Sequence, residues 1–279
     1  MNPMLLAALL QGLLILFFLF LGWLRPRVRQ PLLPPQTVLN LATGITLFGF
    51  RLALMGGLME WAASLPYTRP LNLDALANPW LQLTVAFVLQ DFARYWLHYA
   101  HHRVPLLWRF HRVHHSSEVL DASAGLRMHL VDFIQLNLVP VVCFGLLCSC
   151  QTFPSWVWLA MSTIVNGMDA FQHANIRMDL RHPVARWWNT LFVSPCFHSW
   201  HHASDWRKYD GNYGQTLSVW DHIFGTSVEE DYACTELGLP EHQQLEESLL
   251  GLQLLRPRRR PEAATPARPT DVAAAADPR

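Results

Sequence analysis

The sequence predicts an all-α fold: an integral membrane helical bundle of about four to five membrane-embedded helices, with a cytosolic helical cap that carries clustered histidines. Three observations predict it. Apolar runs of bilayer length recur through the first two thirds of the chain. The chain is 51% hydrophobic and only 15% charged, where a soluble domain carries roughly 25% charged residues. Twelve of the fourteen histidines fall between His98 and His202, in strings that keep helical spacing.

The elements follow in order. The first 24 residues hold no charge, and "LLAALLQGLLILFFLFLGWL" is long enough to cross a bilayer. A signal peptide would place positive charge before its apolar run. Here Arg25, Arg27 and Arg29 come after it. The reading is a retained span with its C-terminal end in the cytoplasm. A second stretch runs from Val38 to Leu65, interrupted by Arg51 and Glu60. Either these charges face the bundle interior or the segment is kinked and partly interfacial. A third runs from Trp80 to Leu97 and leads directly into His98. The stretch from Phe133 to Met168 has no charged residue, and Gln151, Thr152 and Pro154 sit at its middle. It reads as two short spans forming a hairpin. Span parity then puts the segments His98–His129 and His173–His202 on the cytoplasmic side. The Arg-rich tail lies there too.

Four units are expected: transmembrane segments at 1–90, a histidine-rich catalytic unit at 91–226 with its hairpin at 133–168, a cytosolic extension at 227–256, and a disordered tail at 257–279. The formal net charge is zero with histidine neutral, which argues against a nucleic-acid partner. Cys143, Cys148, Cys150, Cys196 and Cys234 make no CxxC pair. They read as small buried residues rather than disulfides or metal thiolates.

The histidines carry the chemistry. His98 and His102 are four apart, so a helix puts them on one face. His111, His114 and His115 keep the i, i+3, i+4 rule, and His198, His201 and His202 repeat it. Two such triplets by chance is on the order of one sequence in a thousand. A metal reading follows. More imidazoles are present than one zinc can use, so two metals fit the count. Imidazole suits Zn, Cu, Fe and Ni, so ligand type alone does not choose. No His-Glu-x-x-His string of a zinc protease occurs. Haem would need histidine pairs deep within the spans. His101 is rotated by about 300° from His98 and about 100° from His102, so it is expected to point away from the pair.

The strings "DFARYWLHYAHH", "LWRFHRVHHSS", "FQHANI", "SPCFHSWHHASD" and "DGNYGQTLSVWDHIFGT" resemble the membrane fatty acid hydroxylase and sterol desaturase superfamily, from about Asp91 to Thr226. The resemblance implies a non-haem di-iron centre held by histidines at the cytosolic membrane face. It implies O2-dependent attack on an unactivated C–H bond of a lipid, fatty acyl or sterol-like, by hydroxylation or desaturation. Its implied ligands are His98, His102, His111, His114, His115, His129, His173, His198, His201 and His202. No catalytic residue beyond the ligands is implied. At His129 the family's His-Pro-x-Glu context is replaced by "RMHLVD", with Leu130 and Asp132 in place of Pro and Glu. An ether-lipid or alkane-type monooxygenase is the nearest rival. A metal transporter or sensor is disfavoured, because the spans lack ionisable residues apart from Arg51 and Glu60.

Ligating histidines need their second N–H engaged. Asp91, Asp169, Asp205, Asn212 and Asp221 are the candidate acceptors, and each is equally readable as a cap or turn residue. Gly211 and Gly214 in "DGNYG" serve backbone geometry. His182 and His222 read as loop residues or acceptor-side neighbours of the ligands, and His242 as solvated. Trp96, Trp108, Phe110, Trp187, Trp188, Phe192, Phe197 and Trp200 are either a wall for a lipid chain or an interfacial belt. No cytochrome b5-like or ferredoxin-like segment is visible, so electrons are expected from a separate cytochrome b5-, ferredoxin- or flavin-reductase-like donor.

Overall fold

The computed structural model describes residues 3–66, 68–205, 210–228 and 230–258. Most of the expected tail, from 259 onward, lies outside the described residues. The fold is mostly helical. α1 spans Pro3–Leu24, α2 Pro35–Ser64, α3 Pro79–Arg103, α4 Pro105–His115, α5 Leu130–Pro140 and α6 Ser155–His173. α7 spans Pro183–Leu191, α8 Pro195–His201, α9 Val219–Phe224 and α10 Leu249–Gln253. Two-residue strands β1 (Leu71–Asn72) and β2 (Cys148–Ser149) pair in parallel.

Two helical segments are long and apolar enough to cross a membrane by length and composition: Leu5–Leu24 and Leu130–Leu147. α1 packs one stripe, Ile15 and Leu19, against Ala170 and Ala174 of the α6 region. Its other faces expose Leu13 at 63% and Leu16 at 60%, which costs little only where the surroundings are apolar.

α2 is continuous, so the charges inside it do not kink it. Arg51 turns into a cavity between helices, while Glu60 is exposed. The hairpin forms where the turn residues predicted it. α5 runs on through Val141–Leu147 with wider, π-type hydrogen bonding from Pro140, since proline cannot donate the regular bond. Asp74 fixes the turn by accepting from Thr152 N at 2.7 Å, from Thr152 Oγ1 at 2.8 Å and from Ser149 Oγ. Below it, Leu83, Ala86, Val139, Phe144, Val157 and Met161 form a core of α3, α5 and α6. Cys143, Cys148, Cys196 and Cys234 are buried, and all five cysteines are free.

The opposite end holds the histidines. Arg27 N donates to Asn175 O at 3.0 Å and Arg177 N to Arg25 O at 3.0 Å. The arginine-bearing segment after α1 therefore lies at the same end as the segment after His173. The 227–256 region does not hang free. Leu239, Leu245 and Leu252 bury against Val113 of α4. The guanidinium of Arg127, fully buried, meets Glu247 at 2.7 Å.

Candidate metal centre

Short breaks bring the histidines together. α3 ends at Arg103, and Pro105 starts α4 at once, because proline suits the first turn of a helix but not its interior. The resulting bend lays the α3 pair, His98 and His102, against the α4 triplet. α8 starts the same way: Ser194 Oγ accepts Phe197 N at 3.2 Å and Pro195 follows. α6 delivers His173 at its last position.

Two groups result. His98, His102, His111, His115 and His201 each bring one ring nitrogen within 4.8 Å of the others. His114, His173, His198 and His202 do the same. The groups adjoin, with the rings of His115 and His202 stacked at 4.5 Å between centroids. All of these rings except His102 are buried. Burial first, then the neighbouring histidines, hold His98, His102, His114, His115, His198 and His202 well below the ordinary histidine pKa. Burial pushes His201 down to about 3, against the Gly211 carbonyl that favours its protonated form. Neutral rings with free lone pairs are what a metal needs.

The rings are oriented from behind, mainly by backbone. His98 Nδ1 lies 2.8 Å from Tyr213 O, and His201 Nδ1 donates to Gly211 O at 2.8 Å. His173 Nδ1 donates to Asp169 O at 2.7 Å. His111 Nδ1 faces Asp132 Oδ2 at 3.1 Å. A carbonyl or carboxylate only accepts, so His111, His173 and His201 carry the proton on Nδ1 and the lone pair on Nε2. His98 Nδ1 also lies 2.7 Å from Gln215 Nε2, whose Oε1 accepts from Arg94, so this ring nitrogen sits between a donor and an acceptor. His98 Nε2 stands 3.1 Å from the lone pair of His111 Nε2. His102 Nε2 and His201 Nε2 are buried with no protein partner. The residues present thus fit metal ions as ligands.

The family model for fatty acid hydroxylases matches residues 83–226. The chain belongs to the fatty acid hydroxylase family. Among its relatives, the ornithine lipid hydroxylase OlsE of Rhizobium tropici is 30% identical over 148 residues, covering 52% of this chain and 41% of the relative. The fatty acid hydroxylase vlmA of a Lecanicillium species is 29% identical over 178 residues, covering 59% and 47%. The alkylglycerol monooxygenase of Danio rerio is 27% identical over 173 residues, covering 57% and 34%. The chain thus spans less than half the length of these relatives. No solved structure matches it.

Of the ligands that membership in the hydroxylase family implied, His129 is the one the structure leaves out of both groups. It caps α5, where its Nδ1 accepts Val131 N at 3.1 Å, and its Nε2 meets Gln253 O at 2.9 Å. Both of its nitrogens are thus on the backbone, apart from the two groups. His101 joins neither of these two groups but forms a third with His111 and Asp132, and it does not point away into open space. It is fully buried, with Nδ1 at 3.3 Å from Asp132 Oδ1 and Nε2 at 2.9 Å from Gln135 Oε1.

Asp132 is the residue that sequence reasoning missed. It is buried between His101 and His111. The signal was present: Asp132 replaces the glutamate that the hydroxylase family places after its histidine.

Of the two roles left open for the candidate acceptors, the contacts of Asp91, Asp221 and Asn212 fill the turn role. Asp91 receives Thr216 N at 3.1 Å, Leu217 N at 3.2 Å and Trp220 Nε1 at 2.9 Å, and so ties α3 to the 210–221 loop. Asp221 receives Tyr213 N and Gly214 N at 2.7 Å each, and Asn212 Nδ2 donates to Phe197 O at 2.9 Å. These residues hold the loop, and the loop's carbonyls hold the rings. Asp169 is nearer, its Oδ1 3.8 Å from His173 Nδ1. Asp205 carries a further interaction but is not part of either histidine group. His182 caps α7 through Val184 N at 3.3 Å, and His242 is exposed. Among the aromatics, Trp108 packs on His102 and His115, and Trp187 is 60% exposed.

Proposed function

We propose that this chain is a membrane-bound oxygenase that hydroxylates or desaturates an unactivated C–H bond of a lipid, with two irons held by the nine clustered histidines. The single observation that carries the metal reading is the convergence of nine histidine nitrogens in two adjoining groups, within 4.8 Å of one another in each, with His201 Nε2 buried and without a protein partner. His98, His102, His111, His115 and His201 would hold one ion, and His114, His173, His198 and His202 the other. Iron bound there would supply O2 activation, with electrons from a separate donor. The relatives' names, which include a lipid hydroxylase and an alkylglycerol monooxygenase, support a lipid substrate.

The chain's own residues do the rest. Tyr213 O, Gly211 O, Asp169 O and Asp132 fix ring orientation, and the last three also the tautomer. The buried rings exclude bulk water. The division proposed is 1–90 for membrane segments, 91–226 for the metal unit and 227–256 as a covering segment. Spans beyond the two named above, and the cytoplasmic placement of the histidines, rest on charge placement and span parity.

The test is lipid mass spectrometry of cells with and without the protein, with iron content measured on the purified chain. The expected result is a lipid gaining one oxygen or losing two hydrogens, abolished by His202→Ala. A metal stoichiometry of one would remove the two-ion reading.

A further inference from the structure

Next to the histidines lies a cavity of about 150 Å³, walled by Leu47, Phe48, Leu126, Phe133, Leu136 and Val165. Arg51 of α2 and Arg94 of α3 also line it. Its only acidic lining residue is Asp169, and that carboxylate is already engaged by Gln172 Nε2 at 3.3 Å. Arg94 spends one donor on Gln215 Oε1 at 3.0 Å. No ion pair is formed by Arg51 or Arg94 among the described residues. Arg94 has Asp91 of its own helix as an electrostatic partner, whereas the charged neighbour that acts on Arg51 is Arg94 itself, a like charge. A half-buried guanidinium beside a second one is costly unless something else pairs it.

A second, independent observation concerns Gln90, which lines the same cavity one turn before Arg94. It is 8% exposed, and its Oε1 is buried with no partner. A buried acceptor left without a donor is costly. The cavity thus offers guanidinium donors and one acceptor at a polar end, and an apolar wall elsewhere. It also adjoins the metal groups. A smaller void lined by His98, His111, His114, His173 and His198 shares Met128, Leu136 and Asp169 with it. Arg94 precedes His98 by one helical turn, about 6 Å along α3.

We infer that Arg51 and Arg94 form an oxyanion subsite that binds the acidic head, carboxylate or phosphate, of an alkyl-chain lipid, with its chain against Phe48, Phe133 and Leu136. Guanidinium pairs carboxylate and phosphate through forked hydrogen bonds, and with Asp169 counted the two arginines of the lining leave one positive charge for a bound anion. The cavity is too small for a whole long-chain lipid, since sites that enclose drug-sized ligands run to about 300–1,000 Å³. It takes the head and the first part of the chain. This inference rests on the lipid-oxygenase reading, because the subsite is placed to present that lipid to the histidines.

The test is equilibrium binding and thermal melting of the iron-loaded full chain in neutral phosphatidylcholine nanodiscs, near pH 8, with empty nanodiscs as the partition control. The probes are hexadecanoate, hexadecyl phosphate, hexadecan-1-ol and inorganic phosphate. At least one of the two acidic amphiphiles should bind saturably, about tenfold or more tighter than the alcohol. Which of the two does so identifies carboxylate or phosphate as the head. Inorganic phosphate, lacking a chain, should not raise the melting temperature. Arg51→Gln should lose about tenfold for the acidic probe and nothing for the alcohol, with iron content unchanged, and Arg51→Lys should recover part of the loss. Arg94→Gln should lose as much, and if it fails to insert, the Arg51 pair carries the test. Equal binding of acid and alcohol would overturn the subsite. So would unchanged affinity in Arg51→Gln, or inorganic phosphate stabilising as well as the amphiphiles. Acid-selective binding by a chain that holds no iron would instead sink the two-iron reading and leave the subsite standing.

Discussion

Asp132 Oδ2 lies 3.1 Å from His111 Nδ1, while its other oxygen lies 3.3 Å from His101 Nδ1. One buried carboxylate therefore orients a metal-facing ring and holds a second ring behind it. Asp132→Asn keeps the volume and one acceptor but removes the charge. The expected outcome is about 10–100-fold weaker metal binding with normal membrane insertion. Metal titration of the purified variant checks it, and undiminished affinity would show that the pair is only structural.

His129 and His173 make a paired comparison. His173→Ala should lose iron, because the ring belongs to the four-histidine group. His129→Ala should keep both ions and lose only its contact with Gln253 O, which docks the 227–256 segment. His101→Ala should likewise retain iron, with a stability loss of about 1–3 kcal/mol from leaving Asp132 short of a partner. Iron content and melting temperature of the three variants decide this. Iron lost from His129→Ala alone would restore the ligand set that the family pattern implied.

Acid should destabilise the metal-free protein. His98, His114, His198 and His202 are held well below the ordinary value of 6.5 by burial first, and His201 is at about 3. The unfolded chain takes up protons near 6.5 while the folded chain does not. The unfolded state thus binds more protons below 6.5, and stability present above that pH is lost as pH falls. The slope grows with the protonated fraction of the unfolded chain, so it steepens as pH falls through 6.5. Melting temperatures measured from about pH 7.5 to about pH 5.5 should fall steeply. A flat profile would contradict buried neutral rings.

Gly214→Ala tests the loop behind His98. A Cβ there would sit 2.6 Å from Leu217 O and 2.8 Å from Asp221 Oδ2, so the loop must shift. Tyr213 O, which orients His98, shifts with it. A destabilisation of about 1–3 kcal/mol and weakened metal binding are expected together. Unchanged metal binding would mean that His98 is held well enough without that carbonyl.

The sequence by itself determined the hairpin turn at Thr152 and the same-face histidine triplets, while the break at Pro105 was legible there but unread. Each of these depends on spacing within a few residues, or on a proline that cannot donate a hydrogen bond. It also determined that His198, His201 and His202 would act together with His111, His114 and His115, because both strings obey one helical period. Only the tertiary structure decided what stands behind the rings. Tyr213 O and Gly211 O leave no mark in residue identity, since every residue carries a carbonyl, and whether one faces a histidine depends on how the loop folds. The place of His129 outside both groups was hidden for the same reason. A histidine beside an aspartate looks like a ligand in one dimension, and the Gln253 carbonyl that claims its Nε2 comes from 124 residues away. Arg51 read as an interruption of a span, and packing turned it into the wall of a cavity beside the metal groups. Long-range burial, not local periodicity, assigns such partners.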